Sequence, residues 1–227
     1  QFVLGLGDIT DNNNTAEWQH ALTQISKLDG KIPYSLVRGN HDLIGYGTAE
    51  DKNADYMTQY LGTEAYRNMI NKTGDFYDDD NIASSYSTLT VGKVQYLILA
   101  LEFGSNDDVI EWANGIIEKH PNHQVIITTH AYLYRDGTTL DASDTAPPSG
   151  YNKKDMAENA KYRDGDYVWE NLVSKHKNVV LVLSGHDPSD NIVVSRDKGE
   201  NGNIVTSMLI DPQDVDSSTS STGMLAM

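Results

Sequence analysis

The 227-residue chain contains no cysteine. That excludes disulfides and thiolate metal sites, and leaves thiol usage silent about the redox compartment. No run of apolar residues approaches the roughly 18 needed to cross a membrane as a helix. Basic residues are scarce: 17 Lys and Arg stand against 33 Asp and Glu, a formal net charge of −16. A surface so negative repels nucleic acid and anionic membranes, so neither is expected as a general partner. If such a protein acts on anionic substrates it needs a local source of positive charge, which bound divalent metal would supply. No signal peptide opens the chain. Gln1 runs straight into the apolar Phe2-Val3-Leu4, so the natural N-terminus is expected to lie elsewhere.

The remaining composition is that of an ordinary globular domain, 38% hydrophobic and 22% charged. Strands and helices alternate without an internal repeat, the pattern of an α/β layered fold. Strands are expected at 2–6, 32–37, 84–91, 94–101, 124–129, 179–183, 192–195 and 204–210, with a further one at 223–227. Helices are expected at 14–28, opened by Asn14 as N-cap with Glu17 three residues on, at 51–71 with a break near Gly62, at 106–119 and at 165–175. The segment 132–163 lacks periodicity and carries Pro147-Pro148-Ser149-Gly150; a loop of that length is usually functional or mobile. The run Asp78-Asp79-Asp80 lacks the spacing of a calcium loop and reads as solvated. His20, His120, His123 and His176 fall in helical or polar connecting stretches and read as surface residues.

Four expected strands end on the same kind of cargo: Asp8, Asn40, His130 and His186. In open α/β sheets ligands collect outside the carboxyl ends of strands. One carboxylate oxygen, one amide oxygen and two imidazole nitrogens suit Mn²⁺, Fe or Zn²⁺. The neutral Asn contributes an oxygen without charge and leaves the metal a stronger Lewis acid.

These residues sit in a recognisable order. Gly7-Asp8-Ile9-Thr10-Asp11 resembles the GD-x-x-D motif of calcineurin-like metallophosphoesterases, and Gly39-Asn40-His41-Asp42 resembles their GNH-[DE] motif. Thr129-His130 looks like their lone-His motif, and Gly185-His186 like the start of their GH-x-H motif. The resemblance covers nearly the whole of 1–227, taken as one domain. It implies an α/β fold of two packed sheets flanked by helices (αββα layers), lacking its N-terminal strand and cut short at the C-terminus. It also implies hydrolysis of phosphomonoesters or phosphodiesters by metal-activated water. Asp8 would bridge two divalent metal ions, and Asn40, His130 and His186 would complete the second ion's shell. His41 would protonate the leaving oxygen, with Asp11 orienting it. Arg38 and Tyr132 are weak candidates for substrate contact.

Two departures from that pattern matter. The family opens with a D-x-H motif on an earlier strand, which this sequence does not contain. Its last motif should read GH-x-H, but here Pro188 stands in the final position, and Asp187 or Asp190 is left as a substitute ligand. At most one metal ion is therefore expected in this chain. The overall resemblance is to phosphoesterase domains of large secreted or surface-attached bacterial proteins, which implies an extracellular or cell-surface location and further domains. The rival expectation is a degenerate phosphoesterase fold serving as a binding or structural module; Pro188 favours it, and the intact His41 does not.

Overall fold

The computed structural model describes residues 1–43 and 55–212. A seven-stranded sheet forms its centre, in the order β3-β4-β5-β6-β7-β9-β8. Its strands are β3 (Gly74–Asp78), β4 (Asn81–Val91), β5 (Val94–Leu101), β6 (Gln124–Thr129), β7 (Val179–Ser184), β8 (Val193–Lys198) and β9 (Ile204–Leu209). The inner strands β5, β6, β7 and β9 run parallel, while β3–β4, β4–β5 and β8–β9 pair antiparallel. A separate two-stranded parallel sheet joins β1 (Val3–Leu4) to β2 (Tyr34–Ser35). The arrangement is the mixed α/β fold with helices flanking a large sheet that the alternation of elements predicts.

Local chemistry explains most boundaries. Helix α1 (Thr15–Ile25) starts where the Asn14 side chain accepts the Glu17 N–H at 3.1 Å. The Glu17 carboxylate accepts the main-chain N–H groups of Asp11 and Asn12. The helical stretch before Asn71 divides at Gly62 into α2 (Tyr56–Leu61) and α3 (Glu64–Asn71), the second capped by Thr63; 51–54 lie outside the described residues. Helix α4 (Asp107–Lys119) has Asn106 as N-cap, acids in its first turn and Lys119 in its last, each favourable to the helix dipole. Helix α5 (Gly165–Asn171) is followed by a 3₁₀ turn.

Two differences from the sequence reading stand out. Strand β3 has little apolar signature (GDFYD), and its place depends on pairing with β4, a tertiary effect. The acidic run then falls at the β3–β4 turn. His120, His123 and His176 are partly buried: the His120 ring packs on Tyr86 and His123, and His176 donates to the Asn114 amide oxygen at 2.7 Å. They brace the end of α4 against the start of β7. The strand expected at 223–227 lies outside the described residues.

Two cores flank the sheets. One packs α4 and α5 on one face of β5–β7 and β9, with Leu97, Leu99, Ile127 and Val182 fully buried. The other gathers α1, α2 and α3 around Trp18, Tyr66 and Ile82. Trp18 is fully buried and its indole N–H is satisfied by the Asn13 side chain at 2.7 Å; truncating it to Ala would cost about 3–5 kcal/mol. A smaller cluster of Leu43, Phe103, Ala131, Leu140 and Tyr162 lies beside the strand ends that carry the motifs.

Candidate functional site

The site is assembled at strand ends. Asp8 follows β1, Asn40 follows β2, His130 follows β6 and His186 follows β7. Main-chain bonds tie these ends together: Phe103 N donates to the Arg38 carbonyl at 3.0 Å, and Gly185 N to the His130 carbonyl at 2.9 Å. The two leading loops interlock through Asp42, whose carboxylate is almost fully buried. One oxygen accepts from the N–H groups of Ile9 and Gly39, the other from the N–H and hydroxyl of Thr10. Burial, with Asp8 nearby, pushes Asp42 up to about 6 against those donors. Two glycines permit the close approach. Gly7 adopts φ +94°, and a Cβ there would strike the His130 ring; a Cβ on Gly39 would fall inside the Asp8 carboxylate.

His130 Nε2 is the hub. It lies 3.2 Å from Asp8 Oδ1, 3.0 Å from Asn40 Oδ1 and 3.2 Å from His186 Nδ1. Asn40 Oδ1 is also 3.1 Å from His186 Nδ1. The opposite ring nitrogens fix the tautomers. His130 Nδ1 faces the Leu6 carbonyl at 2.7 Å, and His186 Nε2 faces the Ala146 carbonyl at 2.8 Å. A carbonyl only accepts, so each of those nitrogens carries a proton and donates it. The inward nitrogens then point lone pairs at two oxygens that also carry lone pairs. Such a grouping is stable only around something positive.

A proton is one solution. Burial pushes His130 down, but the Asp8 carboxylate outweighs it and holds the imidazole above its usual range. Asp8 itself is held below the carboxylate range, because His130 and the His41 N–H outweigh the effect of burial. Burial, then the neighbouring His130, pushes His186 down to about 4, so it stays neutral. A metal ion is the other solution. Ligands bonded to one cation at roughly 2.0–2.1 Å lie about 2.9–3.4 Å from one another, a range that includes the 3.0–3.2 Å separations of His130 Nε2 from Asp8, Asn40 and His186. Among the described residues, no three His, Cys, Asp or Glu side chains are placed to hold a metal; the neutral Asn40 oxygen lies 3.0 Å and 3.1 Å from the two inward imidazole nitrogens.

Backbone strain is concentrated here. Asp8 (φ +48°) and His186 (φ +76°) adopt left-handed conformations rare for residues with a Cβ. Asp187 N donates to the Gly185 carbonyl at 3.0 Å, closing a tight turn around His186.

The other singled-out residues separate cleanly. His41 Nδ1 lies 2.8 Å from the Asp11 carbonyl oxygen and 3.3 Å from its carboxylate, and its main-chain N–H donates to Asp8 Oδ1 at 3.0 Å. Arg38 is fully buried in an ion pair with Glu102 and lies 3.6 Å from Asp55. Tyr132 is buried in the α4–α5 core. Neither side chain is at the surface. Asp187 is buried and turned onto Arg135, accepting from its N–H at 2.7 Å and from both Nε and Nη2 of its guanidinium. Asp190 is exposed.

Several contributors carried no role in the sequence reading. Asp42 is the acid of the GNHD stretch and could have been suspected from that position. Phe103 meets His130 at 5.8 Å, His186 at 5.4 Å and Tyr151 at 5.5 Å between ring centroids; its only sequence signal is its place just past β5. Ala146 acts through a main-chain carbonyl and has no sequence signal.

A mixed α/β sheet whose strand ends gather carboxylate, amide and imidazole donors defines a phosphoesterase-like architecture. The chain belongs to the calcineurin-like phosphoesterase family, whose family model matches residues 1–190. It is also similar to the uncharacterized protein YvnB of Bacillus subtilis (strain 168), 27% identical over 188 residues. That match covers 82% of this chain and 12% of the relative, so the chain spans a small part of that protein's length.

Proposed function

We propose that this chain is a metal-dependent hydrolase of phosphomonoesters or phosphodiesters. In this reading Asp8, Asn40, His130 and His186 hold one divalent cation, Mn²⁺, Fe or Zn²⁺. The observation that carries it is the convergence of four donor atoms with both imidazole tautomers set by Leu6 and Ala146. The bound cation supplies positive charge to the phosphoryl oxygens and acidifies water in its shell. His41, in this reading the proton donor, bonds Asp8 through its main-chain N–H and has Nδ1 tied to Asp11. That tie directs proton transfer to its other nitrogen, which protonates the leaving oxygen. Asp11 is a positioning residue that sets the ring's orientation.

A second reading is a phosphoesterase fold that binds without turnover. It is favoured by Pro188 in place of a ligand and by the commitment of Asp187 to Arg135. One experiment separates the two: hydrolysis of several monoesters and diesters, assayed with Mn²⁺, Fe²⁺, Co²⁺ or Zn²⁺ and with chelator. The proposed activity requires turnover that the chelator abolishes. Turnover indifferent to chelator, or none with any metal, rejects it.

A further inference from the structure

The long loop between β6 and α5 closes over the site. Its Ala146 carbonyl reaches the His186 ring, and five residues on, Tyr151 stacks edge-on against Phe103 at 5.5 Å with an interplanar angle of 87°. Phe103 in turn touches both site imidazoles. Tyr151 is therefore one ring removed from His130 and His186.

The chain around Tyr151 is pinned on both sides. Ser149 N donates to Asp164 at 2.6 Å. Asn152 and Tyr162 exchange two bonds, Tyr162 N to the Asn152 oxygen at 2.7 Å and the Asn152 amide to the Tyr162 carbonyl at 3.0 Å. Such anchoring fixes a side chain before any ligand arrives. The Tyr151 ring is half-buried, and its hydroxyl makes no hydrogen bond to another described residue. Tyr34 and Tyr66 use their hydroxyls internally, Tyr34 on Asp29 and Tyr66 on the Leu36 N–H.

We propose that Tyr151 is a substrate-binding residue whose hydroxyl donates a hydrogen bond to a non-bridging oxygen of the phosphoryl group held at the Asp8–His130–His186 centre. This rests on the phosphoesterase reading. Burial, then the Asp8 charge, pushes the phenol above its usual range, so it keeps its proton and acts as a donor at neutral pH.

The test is calorimetric titration of inorganic phosphate into the Mn²⁺-loaded chain, comparing wild type, Tyr151→Phe and Tyr151→Ala, with melting temperatures alongside. A hydrogen bond to a charged oxygen is worth about tenfold in affinity. Phosphate should bind Tyr151→Phe about tenfold more weakly at an unchanged melting temperature. Tyr151→Ala should bind at least as weakly and melt lower, because it also loses the Phe103 contact. Equal phosphate affinity in wild type and Tyr151→Phe overturns this role while leaving the phosphoesterase reading intact. No phosphate binding to Mn²⁺-loaded wild type removes both.

Discussion

The imidazole of His130 donates its Nδ1 proton to the main-chain carbonyl of Leu6, 2.7 Å away and 124 positions earlier in the chain. That bond turns the Nε2 lone pair inward, toward Asp8 and Asn40. A ligand imidazole is usually oriented this way, through its far nitrogen.

The first prediction concerns the cation. Mn²⁺ or Zn²⁺ should raise the melting temperature of the wild-type chain, because ligand that binds only the folded state stabilises it, by about 2.7 kcal/mol at one hundred times Kd. His130→Ala removes the hub of the donor set and should abolish the shift. Thermal denaturation with and without metal measures both; a shift of equal size in the variant places the cation elsewhere.

His41→Ala should lower kcat by roughly 10²–10⁴-fold, the usual worth of a general acid. Metal content should stay the same, since His41 bonds Asp8 through its main-chain N–H, which the variant keeps. The loss should shrink for nitrophenyl esters, whose leaving group needs no proton. Steady-state kinetics on esters of graded leaving-group acidity, with metal analysis of the same samples, reads out both halves. An equal loss across the series would falsify the proton-donor role.

Asp187→Asn should leave bound metal unchanged and lower stability. Its carboxylate is spent on Arg135, so it is no substitute for the residue that Pro188 displaces. Arg135 is half exposed, so weakening this charge-assisted pair should cost about 1 kcal/mol. Elemental analysis and urea denaturation are the measurements, and loss of metal stoichiometry in the variant is the contrary result.

The long loop is also held by Arg163, which makes a two-pronged contact to Asp107 at the start of α4, both distances 2.7 Å. The hydrogen bonds from Arg163 hold the Asp107 carboxyl below its usual range. A lowered folded-state pKa means stability that is fully present above the ordinary carboxylate value of about 3.9 and is lost as pH falls through the lower folded value. Wild type should exceed Asp107→Asn by about 1 kcal/mol at pH 7, near the upper end for partly exposed pairs. The advantage should vanish toward pH 2. Urea unfolding of both proteins at several pH values checks the sign; an advantage that grows on acidification contradicts it.

The sequence alone determined the alternation of elements, the span of β6, the β4–β5 hairpin and the placing of His130 and His186 at strand ends, while the strands expected at 2–6 and 32–37 shrink to Val3–Leu4 and Tyr34–Ser35 and leave Asp8 and Asn40 in the loops that follow. Those features are local: apolar runs of strand length, capping residues, and glycines where the chain must turn tightly. Tertiary structure decided the rest. The weakly apolar β3 exists because β4 offers it a ladder. Arg38 and Tyr132 could be read as pocket residues until packing buried one against Glu102 and the other under α4 and α5. Asp187 could be read as a ligand until Arg135, 52 residues away, claimed it. Above all, the direction of each imidazole lone pair depends on the carbonyls of Leu6 and Ala146. Main-chain acceptors are the same at every residue, so no side chain in the sequence announces which of them will face a histidine.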